Sequence, residues 1–387
     1  MKNKSLKKLS LISSNAIRQV LVSLFGLIIP FLVIHFSDKE IWGSFVSILL
    51  FSLLVLQFIN WGNKEYLLRK FSEQPNKIGA AFSENMTTRF PLVVIFSITG
   101  FLFFPIQFGF WIVIWLVGRF LNHSVEALIL FQKEFDKSIV IEVGSFIIFG
   151  VSFYFLKAKI DVYSLLIIYS SYQFFKGFFY FIIFKKFFLL QKSVFKIDYF
   201  KSSFPFFLLS ILGFLASKID VYIIENIGNN TITAEYQIIN SLLVFTMSIT
   251  VFIYAPFTKM LYRNTDNVIE KSQKALATIG LVIVPVALFV ISIILKYYIK
   301  TNFGFIFFLI AFMYVYPSYV YGLDIVNLFK QHQEKTVVRN LLLGVITNTL
   351  LSSLFLYLDY SIVGVLFGSA LAQVLVLILF KFKNIVS

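Results

Sequence analysis

Residues 110–131, FWIVIWLVGRFLNHSVEALILF, decide how this chain is read. The stretch is long and apolar enough to cross a hydrocarbon core as a helix, yet it carries Arg119 well inside it. An arginine at a lipid-facing centre costs about 2.5–3.5 kcal/mol or more, so Arg119 has to face protein or a water-filled cavity. His123 and Glu126 follow at i+4 and i+7, within about 60° of the same helix face. Two arrangements fit: an Arg–Glu pair that locks helices together with His123 as a bystander, or a polar cavity lined by all three.

Eleven further stretches of this kind lie near 14–36, 41–61, 90–108, 139–157, 162–184, 203–226, 233–256, 276–296, 303–329, 337–358 and 361–380. Of the 387 residues 59% are hydrophobic, 50 are Phe and 14% are charged, against about 25% charged in a soluble domain. Such a chain lacks the charged shell that a water-exposed core requires, so its solvent is mostly lipid. The basic start (Lys2, Lys4, Lys7, Lys8) is followed by an apolar run too long for a signal peptide and without a small-x-small cleavage site; it reads as a retained helix. Between the third and fourth spans only Pro105, Gln107 and Gly109 mark a turn.

Lys and Arg accumulate on the cytoplasmic side of membrane spans. With the N-terminus inside, the inner connections hold Lys64, Arg69, Lys70, Lys77 and Arg89, then Lys133 and Lys137, then Lys185, Lys186, Lys192, Lys196 and Lys201. Lys259, Arg263, Lys271, Lys274, Lys330, Lys335, Arg339, Lys381 and Lys383 follow. That places 25 basic residues inside against five outside, a bias that supports twelve spans with both termini in the cytoplasm. No outer connection is long enough to hold an enzyme's acceptor site, so a non-enzymatic role is expected.

The expected fold is an all-α integral membrane protein of about twelve helices in two pseudo-symmetric six-helix bundles. The N-terminal bundle is assigned to residues 1–186, a basic cytoplasmic linker to 187–202 and the C-terminal bundle to 203–387. LFQKEFDKSIV (130–140) aligns with LFKQHQEKTVV (328–338) at an offset of 198 residues, the trace expected of an internal duplication. Parallel six-helix repeats are a transporter design that alternates access around a central cavity.

Beyond Arg119, the cations placed within spans are Arg18, Lys176 and Lys218, each a candidate cavity ligand. Arg18 is close enough to the interface to snorkel. Lys218 and Asp220 are two residues and so about 200° apart, which implies different neighbours. Asp220, Glu126 and His123 are candidates for counter-charge or coupling. Glu142 and Asp324 sit near cytoplasmic ends, where solvation suffices, and His35 and His332 fall at span ends. Gln57, Asn60, Gln173, Asn240 and Asn348 are dispersed polar groups suited to reading a glycan. There is no G-x-x-x-x-G-K-[ST] phosphate loop and no metal-ligand spacing, so no cofactor or metal is expected. The net charge of +15 is spent on orientation and does not point to nucleic acid.

RQVLVSLFGLIIPFLVIHFSDKEIWGSF (from Arg18), NWGNKEYLLRKFS (from Asn60) and FPFFLLSILGFLASKIDVYIIENIGNNTITAEYQI (from Phe204) resemble the Wzx-type polysaccharide and O-antigen flippases of the multidrug/oligosaccharidyl-lipid/polysaccharide exporter superfamily. The resemblance rests on Arg18 and Gln19 opening the first helix, Pro30 within it, the polar turn before Trp42-Gly43, and Gly62 leading to Arg69. In the second half it rests on Pro205 and the basic-x-Asp element Lys218/Asp220. Lys218 stands where an arginine is often expected, and the chain is short for the family. The resemblance implies a MATE-like two-bundle protein of the bacterial inner membrane that moves an undecaprenyl-pyrophosphate-linked oligosaccharide to the periplasmic leaflet. The expected partners are that lipid-linked oligosaccharide, membrane lipids and a coupling H+ or Na+, with the protein acting as a monomer. The rival reading is an ion-coupled multidrug or small-cation antiporter of the same fold, using Glu126 or Asp220 as its ion site.

Overall fold

The computed structural model describes residues 2–189, 194–227, 229–254, 266–331, 333–358 and 361–386. Of the positions named above, Lys192, Lys259, Arg263 and His332 lie outside these residues, as do the side chains of Lys2, Lys4, Lys7, Lys8 and Lys383. Among the described residues every regular element is helical. Twelve helical spans are long and apolar enough to cross a membrane, the number expected from the sequence. A helix satisfies its backbone internally, the condition for any spanning segment, and the chain is a multi-pass membrane protein.

In the first half the helices are α1 (Lys2–Phe36), α2 (Lys39–Asn60), α3 (Asn63–Glu73), α4 (Ile78–Ile98), α5 (Gly100–Phe103), α6 (Ile106–Gln132), α7 (Phe135–Leu156), α8 (Val162–Ile183) and the short α9 (Lys185–Leu189). Then come α10 (Asp198–Ile227), α11 (Asn230–Tyr254), α12 (Asp266–Ile294), α13 (Phe305–Lys330), α14 (Glu334–Tyr357) and α15 (Ser361–Val386). The thin boundary between the third and fourth spans is real: Phe104 is extended (φ −130°, ψ 156°) before Pro105, which opens α6, as the crowding ahead of a proline requires. At the start of α8 the Asp161 carboxylate accepts from the Ser164 backbone at 2.8 Å, and Ser164 Oγ accepts from the Asp161 N–H at 2.9 Å. The bonds from Ser164 hold the Asp161 carboxyl below the usual carboxylate range.

Three starts fall well before the expected ones. α1 begins at Lys2 rather than near 14, α4 at Ile78 rather than near 90, and α12 at Asp266 rather than near 276. Hydropathy placed Glu84, Asn85 and Arg89 outside the membrane helix; the fold instead buries Arg89 completely. Arg89 is therefore not a loop residue.

The chain forms two compact units, Met1–Ile211 and Leu212–Ser387, with the division inside α10. In the first unit, α2 passes into α3 through Trp61 (φ 44°) and Gly62 (φ 64°), both left-handed. A Cβ on Gly62 would lie 2.6–2.7 Å from backbone and Cβ atoms of Phe206 and Phe207, so only glycine fits there. The opening turns of α10 rest on this corner. The Trp61 ring stacks on Phe207 at 4.1 Å, its Nε1 donates to the Phe200 carbonyl, and Tyr199 Oη donates to the Trp61 carbonyl, both at 3.3 Å.

In the second unit, the Gln273 side chain on α12 inserts into the ladder of α13. Its Nε2 donates to the Tyr319 carbonyl and its Oε1 accepts from the Leu323 N–H, both at 2.7 Å. These are the two groups that an unbroken helix would bond to each other. Helices α6, α7 and α8 start at 106, 135 and 162, and α13, α14 and α15 at 305, 334 and 361, an offset of 199 in each case.

Candidate functional site

In the first unit a set of charged and polar side chains gathers where α6 crosses α8. A Cβ on Gly118 would strike the α8 backbone at Gln173 and Phe174, and one on Gly177 would strike the Gly118 backbone. Two glycines thus let the helix axes approach closely. The approach sets Arg119 and His123 of α6 beside Tyr169, Tyr172 and Lys176 of α8, within electrostatic reach of one another. Arg119 is the fourteenth of the 27 residues of α6, about 20 Å from its start at 1.5 Å per residue. That is deeper than the sequence spans implied.

The acids of this unit are spent on other cations. Glu126 does not pair with Arg119 but with Arg18 of α1, whose Nη2 and Nη1 reach its two carboxylate oxygens at 2.5 and 3.3 Å. Arg18 is buried, with 6% of its surface exposed, so it does not snorkel. Glu142 is buried too, contrary to the solvated end expected of it: Lys176 Nζ lies 2.5 Å from its Oε2 and Tyr180 Oη donates to its Oε1 at 3.0 Å. Ser138 completes the chain at 2.6 Å from Tyr180. Asp324, in the second unit, pairs with Lys381 at 2.7 Å.

Arg119 has no carboxylate within ion-pair distance among the described residues, and its Nε has no hydrogen-bond partner there. The same holds for His123 Nε2, Trp115 Nε1 and Ser170 Oγ. Buried donors and acceptors left without partners cost about 1–3 kcal/mol each, and these four lie on α6 and α8. His123 is fixed from the other side, its carbonyl accepting from Asn63 Nδ2 at 2.9 Å.

Arg89 is the residue sequence reasoning missed. Its Nε donates to Asn85 at 3.0 Å, its Nη2 to Ser124 at 2.7 Å, and its guanidinium lies 5.1 Å from the Phe120 ring centroid. No acid neutralises it among the described residues. The Asn85–Arg89 spacing of one helical turn was the available signal that it belongs to a helix.

The second unit has one buried carboxylate hub. Asp220 accepts from Tyr236 Oη at 2.6 Å, Ser369 Oγ at 3.1 Å, Asn240 Nδ2 at 3.3 Å and its neighbouring Val221 N–H at 2.9 Å. Lys218 Nζ donates to Asn240 Oδ1 at 2.6 Å. Lys218 and Asp220 therefore share a neighbour rather than meeting different ones. Asn240 presents a donor to one and an acceptor to the other, and the long lysine stem covers the angle between them. Ser369 Oγ lies 3.0 Å from Asn348 Oδ1 and 3.2 Å from the Val365 carbonyl, and Ser352 Oγ shares these two acceptors at 2.7 and 3.1 Å. Asn240 and Asn348 are thus engaged inside this network.

No family model matches the sequence and no curated protein is significantly similar to it. Solved structures do share its fold. An inward-facing multidrug resistance MATE family transporter of the MOP superfamily superposes with a TM-score of 0.69 at 10% identity, covering 94% of both chains. A eukaryotic MATE transporter gives 0.68 at 13% identity over 99% of this chain and 96% of the other. The lipid II flippase MurJ, in an inward closed conformation, gives 0.56 at 14% identity over 95% and 86%. The twelve-helix MATE fold read from the sequence is the fold observed.

Proposed function

We propose that this chain is a flippase of the bacterial inner membrane, translocating an undecaprenyl-pyrophosphate-linked oligosaccharide repeat unit by alternating access for O-antigen, capsule or exopolysaccharide synthesis. The observation that carries this reading is the charge balance of the first unit. Both span-interior acids are paired off, the partly exposed Glu126 by Arg18 and the buried Glu142 by Lys176, which leaves Arg119 beside His123 as a cation without an acid among the described residues. A site of that kind favours a polyanion such as a pyrophosphate and disfavours an organic cation. Arg119 is assigned the headgroup contact; Arg18 and Lys176 hold the helices and balance the acids. Asp220, a buried carboxylate held by neutral donors, is assigned the coupling of a proton or Na+, with Lys218 positioned beside it through Asn240.

Export of lipid-linked repeat units in a deletion strain tests the assignment. Arg119→Ala is expected to abolish export at normal protein level, with repeat units accumulating on the inner leaflet. Normal export in that variant returns Arg119 to a packing role.

A second reading, an ion-coupled multidrug antiporter, is favoured by the multidrug transporters that share the fold and by the acid hub at Asp220. Asp220→Asn separates the two. The flippase reading expects glycan export to lose its dependence on the ion gradient; loss of drug resistance with export untouched would favour the antiporter.

A further inference from the structure

The outer face of the first unit carries a groove that the Arg119 site does not use. Its floor is one stripe of α4, Phe82, Met86 and Phe90, one turn apart, and spans about 12 Å. Phe120 of α6 forms one wall, and Phe187 and Phe188 of α9 close one end. Phe188 packs edge-on against Phe82 at 5.1 Å. The volume is about 460 Å³. The Arg89 guanidinium lies 5.1 Å from the Phe120 ring centroid and its Nη2 3.8 Å from Met86 Sδ, so the inner wall of the groove is backed by that buried charge.

The groove opens toward lipid: Phe90, Val94 and Ile95 on α4 and Ile182 and Ile183 on α8 are exposed. Its closed end is bordered by an amphipathic connector. Val194, Phe195 and Ile197 expose apolar surface there, and Phe195 reaches the groove. Lys196 is engaged by Glu84 at 2.7 Å. Lys185 and Lys186 are exposed and have no ion-pair partner among the described residues. Exposed apolar side chains next to basic ones on a short interfacial element are what binds the boundary of an anionic leaflet.

We propose that this groove is the seat of an anionic phospholipid of the bilayer, one acyl chain lying along Phe82, Met86 and Phe90 and the phosphate held by Lys185 and Lys186. Charge complementarity selects the occupant. An apolar slot alone would accept any acyl chain, whereas Lys185 and Lys186, exposed beside Phe187 and without an ion-pair partner among the described residues, prefer a headgroup with net negative charge. The site is separate from the cargo site, because Phe120 lies about 100° around α6 from Arg119.

Native mass spectrometry of the full chain, equilibrated with phosphatidylglycerol and phosphatidylcholine of identical acyl chains, tests the proposal. The wild type is expected to retain phosphatidylglycerol preferentially. Lys185→Gln with Lys186→Gln is expected to cut that preference about 5- to 30-fold, at about fivefold per lysine near an anionic surface. These are exposed positions, so folding should not change. Met86→Trp, which fills the slot, should lower retention of both lipids, with thermal unfolding as its control. Equal retention of the two lipids by the wild type overturns the proposal, as does a lysine double variant with unchanged preference. Displacement of phosphatidylglycerol by polyprenyl diphosphate at matched concentration also overturns it, by assigning the groove to the cargo's tail.

Discussion

Replacing Glu142 by Gln removes the charge that faces Lys176 while keeping the side chain's shape. The exposures of the two side chains are 4% and 3%, and the ion pair is 2.5 Å long, so the lysine would be left charged, buried and without an acid. Breaking a buried pair from one side costs about 3–5 kcal/mol, more than a hundredfold in the folding equilibrium at 1.4 kcal/mol per decade. Removing both charges, as Glu142→Leu with Lys176→Met, takes away the penalty along with the attraction. Such exchanges are about neutral or stabilising by 1–4 kcal/mol. Against that stands the bond from Tyr180 to Glu142, about 1 kcal/mol, while the Ser138–Tyr180 bond survives. The double-mutant cycle, closed by the single variants Glu142→Leu and Lys176→Met, should thus show a coupling of about 3 kcal/mol, at the upper end for a contacting pair. Equilibrium unfolding in mixed micelles measures it, and export by the same variants gives the second readout. The double variant is expected to be stable and to export, because Arg119 is untouched. A stable double variant without export would make Lys176 a cargo ligand. An undisturbed Glu142→Gln variant would refute the pairing, and with it the claim that Arg119 is the uncompensated cation of its site.

Gly177→Leu should prevent assembly of the first unit, since even a Cβ there overlaps the Gly118 backbone; loss of folded protein at normal synthesis, by fluorescence-detected chromatography, checks it. Gln273→Leu withdraws the partners of the Tyr319 carbonyl and the Leu323 N–H and should cost about 1–3 kcal/mol for each buried group left alone, read as a lower unfolding temperature. A fluorescent protein fused after Ser387 should mature in the cytoplasm; an unlit fusion paired with an active periplasmic phosphatase fusion would reverse the orientation.

Hydropathy was sufficient for the number of spans and for the break at Pro105, because both are properties of single segments. It misplaced the start of α4, since a scale that prices Arg89 as a lone charge cannot know that Asn85, Ser124 and a Phe120 face await it. Partner choice was not legible for the same reason. Arg119 and Glu126 share a helix face, and adjacency suggested a pair; yet Glu126 is taken by Arg18, 108 residues away, whose guanidinium meets both carboxylate oxygens. The 200° between Lys218 and Asp220 was correct geometry but a poor guide to neighbours, because one amide on a facing helix can serve two side chains.

The sequence match at an offset of 198, one residue short of the 199 between the helix starts, allows the two units to be compared position by position. In that register Arg119 corresponds to Pro317 and His123 to Tyr321, while Glu126 corresponds to Asp324 and Glu142 to Asn340. The second unit keeps one acid–base pair, Asp324 with Lys381. It replaces the other acid by an amide, and Asn340 donates to the Leu379 carbonyl at 3.3 Å, so no cation is needed there. Asp220 in turn corresponds to Val22, and among the described residues of the first unit no such hub is present. A buried charge is retained only where something repays its desolvation. An arginine present in one unit and a carboxylate present in the other, each at a position the sequence match makes apolar in its counterpart or, for Arg119, a proline, are the two groups to which the proposed function assigns cargo binding and ion coupling. Transplanting either to the other unit should cost stability without gaining function. Val22→Asp is the sharper case, because it places an acid where no Tyr, Ser or Asn hub receives it, and a variant that folded and exported normally would show that the hub around Asp220 is dispensable packing.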